Sequence, residues 1–196
     1  MILESIIILS SFFLYGCSQN VCPLSNISVS NGGKTITVSA PNCPNGTLVY
    51  LFVEGSDPNF PGIGLILTIS NGVASATLGQ NGLPEPNDMM EITSFIKAWV
   101  VSQTSNCTVT NIQSSLFDPG RITLTITTTC PNGTNIIPFF NSESLKTSLI
   151  EPITVINGIA STIFPEVEAE INVYFVLSSE PILITDVNVD TAWIFY

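Results

Sequence analysis

Glu166, Glu168 and Glu170 alternate along one short stretch of chain. That spacing would line three carboxylates on one face of a strand, where a pair could act as general acid and base. It also describes a solvated acidic edge, which is the reading adopted here. Glu54-Gly55-Ser56-Asp57-Pro58-Asn59 offers oxygens that could hold calcium, or an ordinary turn. The remaining chemistry is narrower still. There is no histidine, so neither a Ser-His-Asp nor a Cys-His site can be assembled. No Cys-x-x-Cys pair is present for zinc, and Asn31-Gly32-Gly33-Lys34 precedes a strand rather than a helix, so it is no phosphate loop. The chain reads as a non-enzyme that needs no cofactor and holds no metal.

Modification chemistry is better represented. Asn26, Asn45, Asn106 and Asn132 each begin an Asn-x-Ser/Thr sequon, which in a secreted protein is a glycan acceptor on an exposed loop. Five cysteines, Cys17, Cys22, Cys43, Cys107 and Cys130, fit an oxidising exterior, although spacing does not fix their connectivity. The odd number asks for one thiol to be free, lost or lipidated. Leu14-Tyr15-Gly16-Cys17 resembles a lipobox, and its use would leave Cys22, Cys43, Cys107 and Cys130 for two disulfides.

Charge is scarce. Four basic and 15 acidic residues make up 10% of the chain, for a net charge of −11, against a usual ~25% charged. Four cations cannot neutralise a phosphate track, which excludes nucleic acid as a partner. Protonating the carboxylates would carry the net charge only to about +4, so the composition suits an acidic exterior. Polarity rests instead on Ser, Thr and Asn.

The elements that position these residues come in two copies. Cys43-Pro44-Asn45-Gly46-Thr47 recurs as Cys130-Pro131-Asn132-Gly133-Thr134, and Asn71-Gly72 returns as Asn157-Gly158 between matching apolar residues. Ile96-Lys97-Ala98-Trp99 matches Ile171-Asn172-Val173-Tyr174 at an offset of 75 residues. A repeat this long is a duplicated domain rather than a solenoid unit. Period-two alternation in Thr35–Ala40 and Ile122–Thr127 predicts strands with one buried and one threonine face. Asn-Gly between apolar runs predicts hairpins. Further strands are expected near 48–53, 64–69, 73–78, 92–102 and 107–113, and again near 135–140, 149–156, 159–164, 169–178 and 182–187. No convincing helix emerges.

The expected fold is all-β: two tandem immunoglobulin-like β-sandwich domains. They would span residues 23–116 and 117–196, meet at the turn Phe117-Asp118-Pro119-Gly120, and lie end to end. Residues 1–22 stand apart. Ile2–Leu14 is apolar but for Glu4 and serines, and too short to span a bilayer. It is either a signal peptide, albeit without a basic start, or a retained arm rich in strand formers. Membrane contact is expected only through this segment. Lys97, on an otherwise apolar strand, resembles the lysine of an intramolecular isopeptide, or simply snorkels; the second copy has Asn172 there.

In its low charge, its Ile/Thr/Ser/Asn richness, its sequons and its tandem repeat, the chain resembles extracellular proteins of thermoacidophilic archaea. Among these it resembles the archaeal thread, a glycosylated pilus whose subunits join by donor-strand complementation. The resemblance implies a secreted structural subunit that pairs with copies of itself, head to tail. The spare strands would come from the N-terminal arm (Ile6, Ile8, Phe12, Leu14) or from the C-terminus (Val189, Trp193, Phe195), with the former preferred. The other reading is a monomeric surface adhesin or binding module whose loops take a ligand.

Overall fold

The computed structural model describes residues 22–30, 35–57, 60–77, 95–141, 146–147, 150–165, 170–177 and 181–185. These hold β-strands and no helix. In chain order the strands are β1 (Asn26–Ser30), β2 (Thr35–Ser39), β3 (Leu48–Asp57), β4 (Phe60–Thr68), β5 (Val73–Thr77), β6 (Phe95–Ser102), β7 (Val109–Asp118), β8 (Arg121–Thr128), β9 (Asn135–Asn141), β10 (Lys146–Thr147), β11 (Ile153–Thr154), β12 (Ile159–Pro165), β13 (Glu170–Val176) and β14 (Ile182–Thr185).

They form three sheets. Two are three-stranded, β1-β2-β5 and β12-β8-β7. The third runs β10-β9-β13-β6-β3-β4, with β11 also on β9 and β14 also on β6. The architecture belongs to the β-sandwich class. One core lies between β1-β2-β5 and the first half of the large sheet, where Ile27, Ile36 and Val38 meet Val49, Leu51, Ile96 and Ala98. A second lies between β12-β8-β7 and the other half, where Leu124 and Ile126 meet Ile136, Phe140 and Phe175.

The local sequence explains each layer. β2 alternates buried Ile36 and Val38 with partly exposed threonines and serine, as a strand with one wet face should. Leu48–Val53 is an unbroken apolar run because β3 is covered on both faces: Val49, Leu51 and Val53 join the first core, while Tyr50 and Phe52 join a third. That third core also takes Trp99, Val101 and Ile137. It mixes residues of both copies. The two ends of the large sheet, β4 and β10, contact each other, so the sheet curls around this cluster. Tyr50 is fully buried there and its hydroxyl donates to the carbonyl of Ile150 at 2.6 Å.

One difference between the copies has a clear cause. β3 faces a continuous partner, β4, whereas β9 faces two short ones, with β11 on Asn135 and Ile136 and β10 on Phe140 and Asn141. Pro138, which has no N–H to give a ladder, sits in the gap between them.

The repeated motifs turn out to bind one another. Asn45 Oδ1 accepts from the Asn71 N–H at 2.8 Å, and Asn132 Oδ1 accepts from the Asn157 N–H at 2.6 Å. Beside them, Gly46 N–H donates to Ile69 O and Gly133 N–H to Val155 O, both at 2.9 Å. Asn71 and Asn157 take φ of 51° and 52°, the left-handed region asparagine tolerates. The Cys-Pro-Asn-Gly-Thr turn is thus latched to the Asn-Gly hairpin in each copy.

The tetrapeptide Phe117–Gly120, expected between domains, turns the chain from β7 into β8, which pair antiparallel as β1 and β2 do. The copies are joined through the large sheet, where β6 pairs with β13. Val101 and Val176 are partners in that pairing, and they are also equivalents under the 75-residue offset. A local two-fold axis relating the copies therefore passes between them. Consistently, the Leu177 N–H donates to Val100 O at 2.8 Å, the counterpart of the Phe175–Ser102 pairing.

Candidate strand-acceptor groove

β6 has one edge on β3 and one free to take other partners. Its end at Val101 and Ser102 goes to β13. Its beginning goes to β14, with Ile182 opposite Ala98, Leu183 opposite Lys97, Ile184 opposite Ile96 and Thr185 opposite Phe95. β14 also touches β1. The last strand of the second copy therefore closes the side of the first copy's sandwich, between β6 and β1.

The symmetric seat would lie between β13 and β7, on the edge of Glu170–Val173. Among the described residues, no strand pairs with that edge: β13 bonds to β9 along its length and to β6 only at Phe175 and Val176. The segment that follows β6, expected from sequence to be the last strand of the first copy, is β7, and it pairs with β8 in the second copy's sheet. The two copies have treated their final strands differently, and among the described residues one place is left without a strand.

Burial follows that difference. Ile96 and Ala98, beneath β14, are 1% and 0% exposed; their equivalents Ile171 and Val173 are only half-buried. On the other wall, Ile27 of β1 is 3% exposed while its counterpart Ile112 of β7 is 36% exposed. Between these walls runs a groove of about 410 Å³ lined by Val109, Ile112, Ile171, Val173 and Phe175 together with uncharged polar residues, Gln103, Thr104 and Asn172 among them. Among the described residues, no charged side chain lines it. It can bind an apolar strand by ladder hydrogen bonds and side-chain burial, and without charge its affinity should depend little on pH.

The sequence-predicted sites fall around this groove. Cys22 is bonded to Cys43 and Cys107 to Cys130, which settles the pairing that spacing left open and fits an oxidising compartment. Cys107 stands on the groove wall. Asn26, Asn45, Asn106 and Asn132 are all exposed. Lys97 Nζ lies 2.6 Å from Glu151 Oε1, an ion pair linking β6 to the segment before β11; nothing in the sequence singled out Glu151. Trp99 is buried and Tyr174 half-buried. Burial raises the Tyr174 phenol above its ordinary pKa of 10.0. Glu170 is exposed, while Glu166 and Glu168 lie outside the described residues, as do the side chains of 54–59. Also outside them are the donor candidates Ile6, Ile8, Phe12 and Leu14, and Val189, Trp193 and Phe195. The groove residues themselves were not marked by any motif. The one available signal was the repeat, which aligns Ile112 with Ile27 once Cys107 is aligned with Cys22. No protein-family model, no curated protein and no solved structure matches this chain.

Proposed function

We propose that the chain is a non-enzymatic structural subunit of an extracellular, cell-surface filament, secreted and glycosylated, whose copies join head to tail by β-strand donation. Each copy of the repeat is read as an immunoglobulin-like sandwich. The first is completed by β14; among the described residues no corresponding strand completes the second. That seat, which no described strand fills and which Val109, Ile112, Ile171, Val173 and Phe175 line beside uncharged polar residues, is the observation that carries the proposal. A strand from a neighbour entering it makes a heterologous contact, which need not close and so builds a filament. The two disulfides and the exposure of all four sequons support an exterior location.

The test is electron microscopy of native material shed from cells, with the protein confirmed in it by mass spectrometry. Regular filaments are expected. Only dispersed monomeric particles would overturn the proposal in favour of an adhesin or binding module.

A further inference from the structure

We infer that the occupant of the groove is Ile6–Leu9 of a second copy of the chain, lying antiparallel to β13 with Ile6 opposite Val173 and Ile8 opposite Ile171. This rests on the filament reading above and assigns its donor, its acceptor and their register.

The template is in the molecule itself. β14 lies on β6 antiparallel, with Ile182 opposite Ala98 and Ile184 opposite Ile96. The 75-residue offset carries those two acceptor positions to Val173 and Ile171. Ile6-Ile7-Ile8 has the make-up of Ile182-Leu183-Ile184, an unbroken aliphatic stretch with isoleucine at first and third place, and Leu9 stands where the template has Thr185. Such β-branched residues suit a half-buried pleated surface. Phe12-Phe13-Leu14 suits the groove less, since Val173 stands where the first copy has the smaller Ala98, leaving less room for rings. The C-terminal candidates begin at Val189, four residues beyond Thr185, which is held on the first copy's Phe95.

Direction favours a neighbour, because the chain's own arm would have to turn back along the whole of β13 to reach Cys22. A donor antiparallel to β13 enters at Val173 and leaves past Glu170. The arm's own attachment, Cys22, sits at the other end, beside Val100, Val101, Ser102 and Leu177 near the β6–β13 junction. The donor thus exits away from its own first copy and toward the outside of the molecule. From Leu9 to Cys22 there are 13 residues, enough to span up to about 43 Å when extended, so a neighbouring body can be reached.

The test uses full-length chains carrying Cys17→Ser to remove the unpaired thiol. One carries Ile7→Cys and the other Asn172→Cys, the pair equivalent to Leu183 opposite Lys97. They are mixed and treated with a short thiol-to-thiol cross-linker, and products are sized by denaturing electrophoresis and mapped by mass spectrometry. A linked two-chain species in the mixture, absent from either chain alone, is the expected result. Filaments without this link, or linked instead through Phe13→Cys or Asp190→Cys, overturn the assignment while leaving the filament reading intact. A link formed only within one chain of the double variant overturns the second-copy occupant. Native filaments whose chains begin after residue 16 overturn the donor. Unaltered chains that form no filament at all count against the underlying reading as well.

Discussion

Ile27 and Ile112 stand at the same place in the two copies, five residues beyond Cys22 and Cys107, and pair across to Val38 and Ile126. β14 lies against the strand of the first; the second lines a groove that no described strand fills. Identical side chains at equivalent positions therefore carry different burdens. The first contributes to the fold of the chain, and the second has its burial still to come, on assembly.

Ile27→Ala should cost about 2–4 kcal/mol of stability, since it leaves a cavity in a closed core. Ile112→Ala should cost under ~1 kcal/mol in the isolated chain, as an exposed site does, yet weaken polymerisation. Denaturant unfolding of both variants, beside a sedimentation assay, checks this. Equal destabilisation by the two would mean that the groove is filled within the monomer.

The third core makes the copies interdependent. Tyr50→Phe removes the hydroxyl's hydrogen bond to the buried Ile150 carbonyl and should cost about 0.5–1.5 kcal/mol. Gly64→Ala should be at least as damaging, because a Cβ there would collide with the Tyr50 ring. Thermal unfolding should remain a single transition in both, with a lower midpoint. Two separated transitions would show that the copies fold independently.

The latch in each copy uses Asn Oδ1, which an aspartate would keep and which a glycan on Nδ2 would leave free. Asn45→Asp and Asn132→Asp should preserve stability while abolishing glycosylation at those sites. Asn45→Ala and Asn132→Ala should each cost about 1 kcal/mol through an unmet turn N–H. Unfolding of protein made without glycans separates the two effects; indistinguishable Asp and Ala variants would remove the latch.

Stability should be nearly flat from pH 7 to pH 3. The ion pairs seen among the described residues, Lys97–Glu151 and Arg121–Asp118, are partly exposed, and such pairs contribute about 0–1 kcal/mol. A melting temperature at pH 3 lower by more than about 10 °C would contradict this. At high pH the sign reverses. Burial raises the Tyr174 pKa, so its contribution is fully present below pH 10, the unfolded value, and is lost as pH rises through the higher folded one. Tyr174→Phe should soften the alkaline decline in a pH–melting series.

Much of the fold was legible because its causes are local. Alternating Thr and Ile in Thr35–Ser39, the Asn-Gly pairs and the Cys-Pro-Asn-Gly-Thr turns each state their own conformation within a few residues, and strands and hairpins stand where they indicate. The duplication was equally plain, and the latch between Asn45 and Asn71 shows what it encodes. What the sequence by itself determined was a twice-repeated all-β chain, poor in charge and without the residues of histidine-based catalysis.

Only the tertiary structure decided which copy each final strand completes. Ile182-Leu183-Ile184-Thr185 announces a strand but not a partner, because an edge accepts any chain that presents ladder groups and apolar side chains. Pairing Ile182 with Ala98 spans 84 residues and uses the same edge of β6 that meets β13 at Val101 and Val176. On β13, no described strand pairs with the edge away from β9 at Ile171 and Val173. An open seat is a property of two edges brought near each other, and no run of residues along one strand can declare it.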